Sequence, residues 1–132
     1  MDDDVSRGLE ALLQHARRDP DVAAVVQFGS SLGAAPARDV DIAVVLRRDA
    51  VPRKTEKFFE YFRLGDGPRS GGLDICLFQD LPMYIRQRVL EHGRVLLATD
   101  EDELYRIAVD FVGRWEDFKP HYEAYLEAVA RG

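Results

Sequence analysis

Three aspartates stand at the starts of two apolar runs that are typical of buried strands. Asp39 and Asp41 lead into the run IAVVL, and Asp74 leads into ICLF. Because side chains alternate along a strand, Asp39 and Asp41 point to one side with Cα atoms about 6.5 to 7 Å apart, and Asp74 joins them if its strand is the neighbour. Like charges about 4 Å apart repel by roughly 4 kcal/mol at an effective dielectric near 20, which predicts a compensating cation. Mg²⁺ suits the position, since it takes oxygen ligands and commonly combines carboxylates with phosphates.

The loop that precedes these acids, GSSLGAAPAR, consists mainly of small residues. At Gly29, Ser30 and Gly33 backbone N–H groups can approach an anion closely, and a helix beginning around Ser31 would add its positive end. A phosphate cradle followed by metal-binding carboxylates suits phosphoryl or nucleotidyl transfer, in which metals hold a triphosphate and one carboxylate accepts the proton of the attacking hydroxyl. Taken alone, Gly-Ser is also typical of a plain turn from a strand to a helix, and Asp39 of a turn at a strand entry.

Hydrophobic periodicity predicts the elements that must position these residues. Strands are expected at 21–28, 39–46, 73–78 and 94–98, and helices at 5–18, near 53–63, from an Asp80 cap to about Gly93, and from Asp100 to Arg131. Pro120 is expected to kink or divide the last helix, and residues 65–72 form a glycine-rich loop. The pattern predicts an α/β (α+β) fold in which a small mixed β-sheet is flanked by three or four helices.

Composition limits the classes of function. The chain has 132 residues with a formal net charge of −6, and we expect a single domain over residues 1–132. The excess of acid argues against direct nucleic-acid binding, so a phosphate ligand should arrive with metal ions. One cysteine, no apolar run of membrane-spanning length and an acidic N-terminus predict a cytoplasmic protein without an internal disulfide.

Other residues with chemical potential have simpler interpretations. Cys76 is interpreted as a small buried residue and not as a nucleophile, and the three histidines, His15, His92 and His121, are scattered without a metal-ligand spacing. The basic segment 47–54 is interpreted as a solvated loop, with contact to a nucleotide or to an acidic partner as the alternative. An aromatic series near the C-terminus favours core packing, with a partner surface as the alternative: Tyr105, Phe111, Trp115, Phe118, Tyr122 and Tyr125.

Two segments resemble a known superfamily. FGSSLGAAPARDVDIAVV together with LDICLF is similar to the nucleotidyltransferases of the DNA polymerase beta superfamily, whose motif is Gly-Ser, a spacer, Asp-x-Asp and a third Asp on a later strand. The short length and the segment 81–128 resemble more narrowly the minimal nucleotidyltransferase (MNT) antitoxins that accompany HEPN toxins. The resemblance covers nearly the whole chain and implies the polymerase beta-like nucleotidyltransferase fold.

The resemblance also implies roles for the residues that match the motif. Gly29 and Ser30 would contact the triphosphate of ATP, Asp39 and Asp41 would bind two Mg²⁺ ions, and Asp74 would ligate one metal and act as general base. The implied reaction transfers AMP from ATP to a tyrosine of a partner HEPN-type toxin, which silences the RNase activity of that toxin.

Two other functions remain open at this point. The spacer SLGAAPAR has eight residues, fewer than is usual in these antitoxins, which motivates a non-catalytic antitoxin that blocks the HEPN toxin sterically. A small-molecule nucleotidyltransferase is the other alternative, although such enzymes carry more chain for an acceptor pocket.

Overall fold

One mixed sheet organises the chain. The computed structural model describes residues 3–32, 40–65 and 72–132. Within these ranges the strands are β1 (Val22–Phe28), β2 (Val40–Leu46), β3 (Leu73–Leu77) and β4 (Arg94–Ala98), and the α-helices are α1 (Asp3–Arg17), α2 (Lys54–Gly65), α3 (Met83–His92) and α4 (Glu101–Ala130). The strand order is β3-β2-β1-β4, with β2 and β3 parallel and the other two pairs antiparallel. The predicted fold class is therefore confirmed.

Apolar side chains cover both faces of the sheet. On one face, Leu12 of α1 and Tyr61 of α2 pack with Ile42 and Val44 of β2. On the other face, residues from α3 and α4 pack with the intervening positions of β2 and with Phe78. Burial on both faces explains why the β1 and β2 sequences are nearly continuous apolar runs.

Hydrogen bonds and ion pairs of acidic residues hold the start of α4 in place. Asp100 is the N-cap residue and accepts a hydrogen bond from the Glu103 amide at 3.0 Å, which holds the pKa of the Asp100 carboxyl below its usual value. The buried carboxylate of Glu103 accepts hydrogen bonds from the backbone amide and guanidinium of Arg48, at 2.8 and 3.2 Å. Arg47 pairs with Asp100 in the same way.

The interpretation of residues 47–54 as a loop is therefore wrong, although five of these eight residues are exposed to solvent as expected. Arg48–Arg53 is a 3-10 helix, and Arg48 contacts Glu103 in the acidic first turn of α4. The opposite charges lie more than fifty residues apart along the sequence, so the local pattern did not reveal the pairing.

The start of α3 also differs from the prediction. Pro82 occupies the N-cap position without a side-chain cap, and Asp80 instead pairs with Lys54 at 3.1 Å. Because a residue before proline is driven out of the helical conformation, Leu81 is extended and the helix begins only at Met83. The expected capping role of Asp80 is wrong for this reason.

Helix α4 continues through Pro120 without being divided. Aromatic rings join the two sides of the proline: Trp115 and Phe118 lie 5.8 and 6.1 Å from Tyr122, measured between centroids, and Tyr122 stacks on Tyr84 of α3. The core interpretation of the aromatic series holds only for Phe111, which is buried. Tyr105 and Tyr125 are 71% and 64% exposed.

No helix in the described ranges has both the length and the apolar character that crossing a membrane would require.

A buried ion pair joins the end of α1 to α2. Lys57 Nζ lies 2.5 Å from Asp19 Oδ2, and the hydroxyl of Tyr61 donates to the same oxygen at 2.8 Å. Burial raises the pKa of the Asp19 carboxyl, but the hydrogen bonds from Lys57, the Asp21 amide and Tyr61 outweigh burial, and the net pKa is lowered. The Asp19 carboxyl is therefore charged in the folded protein.

Replacing Lys57 should be costly because it leaves the Asp19 carboxylate buried without its counter-ion. We expect Lys57→Met to lower the free energy of unfolding by about 3–5 kcal/mol at pH 7. The cost should shrink as the pH falls below about 4, where the carboxylate of the unfolded chain is protonated. Lys54→Met, three residues earlier on the same helix, removes an exposed pair and should cost less than about 1 kcal/mol. Urea unfolding of both variants tests this expectation, and equal losses would contradict it.

Candidate active site

The parallel register of β2 and β3 brings two of the predicted acids together. Asp41 is paired directly with Asp74 across the two strands. Adjacent strands lie about 4.8 Å apart, so the two side chains emerge side by side on one face of the sheet. Asp41 is half-buried and Asp74 is exposed. The expectation that Asp74 lies beside the second strand is met.

Gly29 completes the described part of the site. It follows β1, whose last residue, Phe28, pairs with Asp41 on the other side of β2. The φ angle of Gly29 is +79°, and a Cβ placed on it would overlap the Asp41 carboxylate at Oδ2. Only glycine can adopt the positive φ angle and also avoid the overlap with the Asp41 carboxylate without strain. The backbone of the loop start is therefore packed against one of the acids.

Two other predicted site residues cannot be placed. Asp39 lies outside the described residues, and so does the side chain of Ser30. The 3-10 turn Gly29–Leu32 is the described part of the expected cradle and helix start. The structure thus brings together Gly29, Asp41 and Asp74.

A cavity of about 450 Å³ adjoins Asp74 along the β3 edge of the sheet. Phe58 and Phe62 of α2 line it, and their rings stack with centroids 5.7 Å apart. Sequence reasoning missed these two phenylalanines. The only local signal was the aromatic density of KFFEYF, which core packing explains equally well.

Cys76 is not a nucleophile in this setting. Its Sγ lies 3.4 Å from the Ile42 carbonyl oxygen and donates to it. Burial, with smaller effects from Asp74 and Asp41, raises the pKa of the thiol to about 12. The thiol stays protonated at neutral pH, as the interpretation of a small buried residue requires.

A second acidic cluster lies at the α1–α2 junction. Potential ligand atoms of His15, Asp19 and Glu60 fall within 4.8 Å of one another, a grouping that the spacing of the histidines along the sequence does not reveal. Lys57 Nζ, however, contacts both carboxylates, at 2.5 Å from Asp19 and 3.1 Å from Glu60. The ammonium group already supplies the cation that this cluster needs.

The pair formed by Asp41 and Asp74 fits a divalent cation better. Its donors are carboxylate oxygens, which Mg²⁺ prefers, and the two negative charges face each other across adjacent strands. The Gly29 backbone lies directly against the Asp41 carboxylate, so the loop start and the acid pair form one continuous surface. The donor set is of the kind that a divalent cation prefers.

Comparisons with known structures give the same fold. A chain from the complex of tri-AMPylated Shewanella oneidensis HEPN toxin with MNT antitoxin is 18% identical, with 96% of each chain covered and a TM-score of 0.64. A chain from a mutant MntA toxin–antitoxin complex is 20% identical over 95% of this chain and 97% of that one, with a TM-score of 0.67. A toxin–antitoxin complex with AMP-PNP gives 20% identity, 94% and 97% coverage and a TM-score of 0.62.

The chain has the fold of the MNT nucleotidyltransferases. These structural neighbours are MNT antitoxins in complexes with HEPN toxins. No protein-family model matches the chain, and no curated protein matches its sequence. At 15–20% identity, the likeness is one of fold over nearly the full length.

Substitution of Gly29 tests the geometry of the site. Gly29→Ala should lower the free energy of unfolding by at least about 1–2 kcal/mol, because the new Cβ meets the Asp41 carboxylate and the positive φ angle becomes strained. Gly113→Ala is the matched control: it lies inside α4 with nothing near its Cβ position, and should stabilise the chain by up to about 1 kcal/mol. Chemical unfolding measures both, and a neutral Gly29→Ala would contradict the described contact.

Proposed function

We propose that this chain is a Mg²⁺-dependent nucleotidyltransferase that acts as an antitoxin by transferring AMP from ATP to a tyrosine of a partner HEPN toxin. The observation that carries the proposal is the direct pairing of Asp41 with Asp74 beside Gly29. The fold adds support, because one neighbour is a complex of an AMPylated toxin with its antitoxin and another contains AMP-PNP.

In this proposal the three acids have different roles. Asp39, Asp41 and Asp74 would hold Mg²⁺, which supplies positive charge to the triphosphate when bound. Gly29 and Ser30 would contact the phosphates through the loop backbone. Asp74, the more exposed acid, would also accept the proton of the attacking tyrosine hydroxyl.

The proposed reaction is a single displacement at the α-phosphorus of ATP. The tyrosine oxygen forms a bond to the α-phosphorus of ATP while the bond from that phosphorus to the bridging oxygen of pyrophosphate breaks. The tyrosine proton moves to the Asp74 carboxylate, and pyrophosphate leaves. The products are an AMP-modified toxin and pyrophosphate.

Helix α4 has exposed apolar side chains that a partner protein would contact. Large hydrophobic side chains remain at least 46% exposed along this helix: Tyr105, Val109, Val112, Tyr125, Leu126 and Val129. A helical partner could cover such a surface, which is the partner alternative raised for the aromatic series. We therefore assign toxin binding to α4.

Removal of the paired acids should abolish transfer. With labelled ATP, Mg²⁺ and a HEPN toxin that forms a complex with this chain, we expect Asp41→Asn and Asp74→Asn each to lower the initial rate of toxin labelling at least 100-fold. Chelation of Mg²⁺ by EDTA should have the same effect on the unmodified chain.

The matched control is Asp49→Asn, an exposed aspartate in the 3-10 helix after β2, which should leave the rate unchanged. Retained labelling in the Asp41→Asn, Asp74→Asn double variant would exclude the proposed site. Inhibition of the toxin without any labelling, by the unmodified chain, would favour the steric antitoxin instead.

A further inference from the structure

We propose that the chain binds a phosphate-bearing small molecule in a second pocket, formed between α3, α4 and the turns that follow β2 and β3. The pocket has a volume of about 360 Å³, within the range of small-molecule sites. Arg86 and Arg114 are its central polar groups, and Phe78 and Phe111 form part of its wall.

This pocket is remote from the paired acids. Asp41 lies near the start of β2, whereas Arg48, which borders the pocket, follows the end of that strand. Five residue steps from Asp41 to Leu46 span about 17 Å. A nucleotide held at Asp41 and Asp74 would therefore not fill the pocket, and the inference does not rest on the proposed function.

Arg86 and Arg114 both line the pocket, and Asp110, the carboxylate among the described lining residues, pairs with Arg48. Arg86 lies partly buried on α3, and its Nε is shielded from solvent with no hydrogen-bond partner in the described part of the chain. Burial and the neighbouring Arg114 lower the pKa of Arg86, which reflects an unfavourable environment for its charge. An unsatisfied buried donor beside a like charge is costly in the free protein.

The terminal Nη groups are the part of the Arg86 guanidinium that a ligand can reach, because its Nε is shielded. The guanidinium carbon lies 5.4 Å from the centroid of the Phe111 ring, so the aromatic ring occupies one face of the group. The N–H groups lie in the guanidinium plane and bind oxygen atoms at its edge. An anion placed between Arg86 and Arg114 would satisfy both groups.

The other charged residues of the lining are already paired and leave the charges of Arg86 and Arg114 in place. Lys54 and Arg48 also border it, but Lys54 pairs with Asp80 and Arg48 pairs with Glu103 and Asp110. Asp110 is the one carboxylate among the residues that line the pocket, and it is engaged by Arg48. A local excess of positive charge in a chain of net charge −6 points to a selected anionic ligand.

The chemistry of the walls favours an organic phosphate. Guanidinium groups bind phosphate oxygens in pairs, with good geometry and little loss of hydration. The aromatic and aliphatic wall, which includes Phe78 and Ile107, would contact an apolar part of the ligand that inorganic phosphate lacks. A phosphate monoester with a flat or apolar group uses both features.

Calorimetry with phenyl phosphate and inorganic phosphate tests the inference. The protein is the Asp41→Asn, Asp74→Asn variant in EDTA, so that the candidate active site cannot contribute. We expect submillimolar binding of phenyl phosphate and at least tenfold weaker binding of inorganic phosphate. Arg86→Gln and Arg114→Gln should each weaken phenyl phosphate binding tenfold or more, because each removes charged hydrogen bonds. Arg88→Gln, an exposed arginine on the same helix as Arg86, should leave binding unchanged.

Thermal unfolding without ligand separates a binding role from a structural one. Removing either member of a like-charged pair should leave the midpoint unchanged or raise it. A lower midpoint in both Arg86→Gln and Arg114→Gln would assign these residues to the fold and overturn the inference. The absence of binding heat with phenyl phosphate up to about 10 mM would also overturn the inference. Equal phenyl phosphate affinity in the unmodified pocket and in the arginine variants would overturn it as well. Equal affinity for the two phosphates would overturn the assignment of an organic ligand.

Discussion

The parallel pairing of β2 with β3 is the constraint on which the site depends. It sets Asp41 opposite Asp74 and thereby brings two carboxylates together near the starts of both strands. The antiparallel pairing of β1 with β2 then brings Gly29 onto the Asp41 carboxylate, where a side chain would not fit. Two strand registers therefore determine both the carboxylate pair and the nearby backbone. A one-residue slip in either strand would turn an acid to the opposite face and dismantle the site.

Charge is distributed unevenly around this sheet. Carboxylates face each other where β2 and β3 begin, whereas arginines collect beyond the ends of the same strands. Arg47 and Arg48 pair with Asp100 and Glu103, which ties the turn after β2 to the start of α4. The Lys57 and Asp19 pair connects α2 to the segment after α1 in a similar way. Within the described ranges Arg86 Nε has no hydrogen-bond partner, and Arg86 lies near the like charge of Arg114.

Sequence patterns predicted the strands and helices because apolar periodicity depends on short-range order. The meeting of Asp41 with Asp74 was predicted only on the condition that their strands are neighbours, which the local pattern does not decide. Contacts between distant segments were harder to predict. Three contacts depend on how the helices pack against one another and on the sheet. Arg48 binds Glu103, His15 contacts Glu60, and Phe58 lines the same cavity as Asp74. For the α4 aromatics the sequence favoured core packing over the alternative of a partner surface for the same reason, since helical spacing does not reveal how far a helix extends past the sheet.

Mn²⁺ titration followed by amide NMR would test the metal assignment most directly. Mn²⁺ accepts the same oxygen ligands as Mg²⁺, and its paramagnetism broadens the signals of nearby residues. We expect substoichiometric Mn²⁺ to remove first the amide signals of Gly29, Asp41 and Asp74, and excess Mg²⁺ to restore them. Loss of the signals around His15 and Glu60, with those of Asp41 and Asp74 retained, would place the metal at the other acidic cluster and contradict the proposed site.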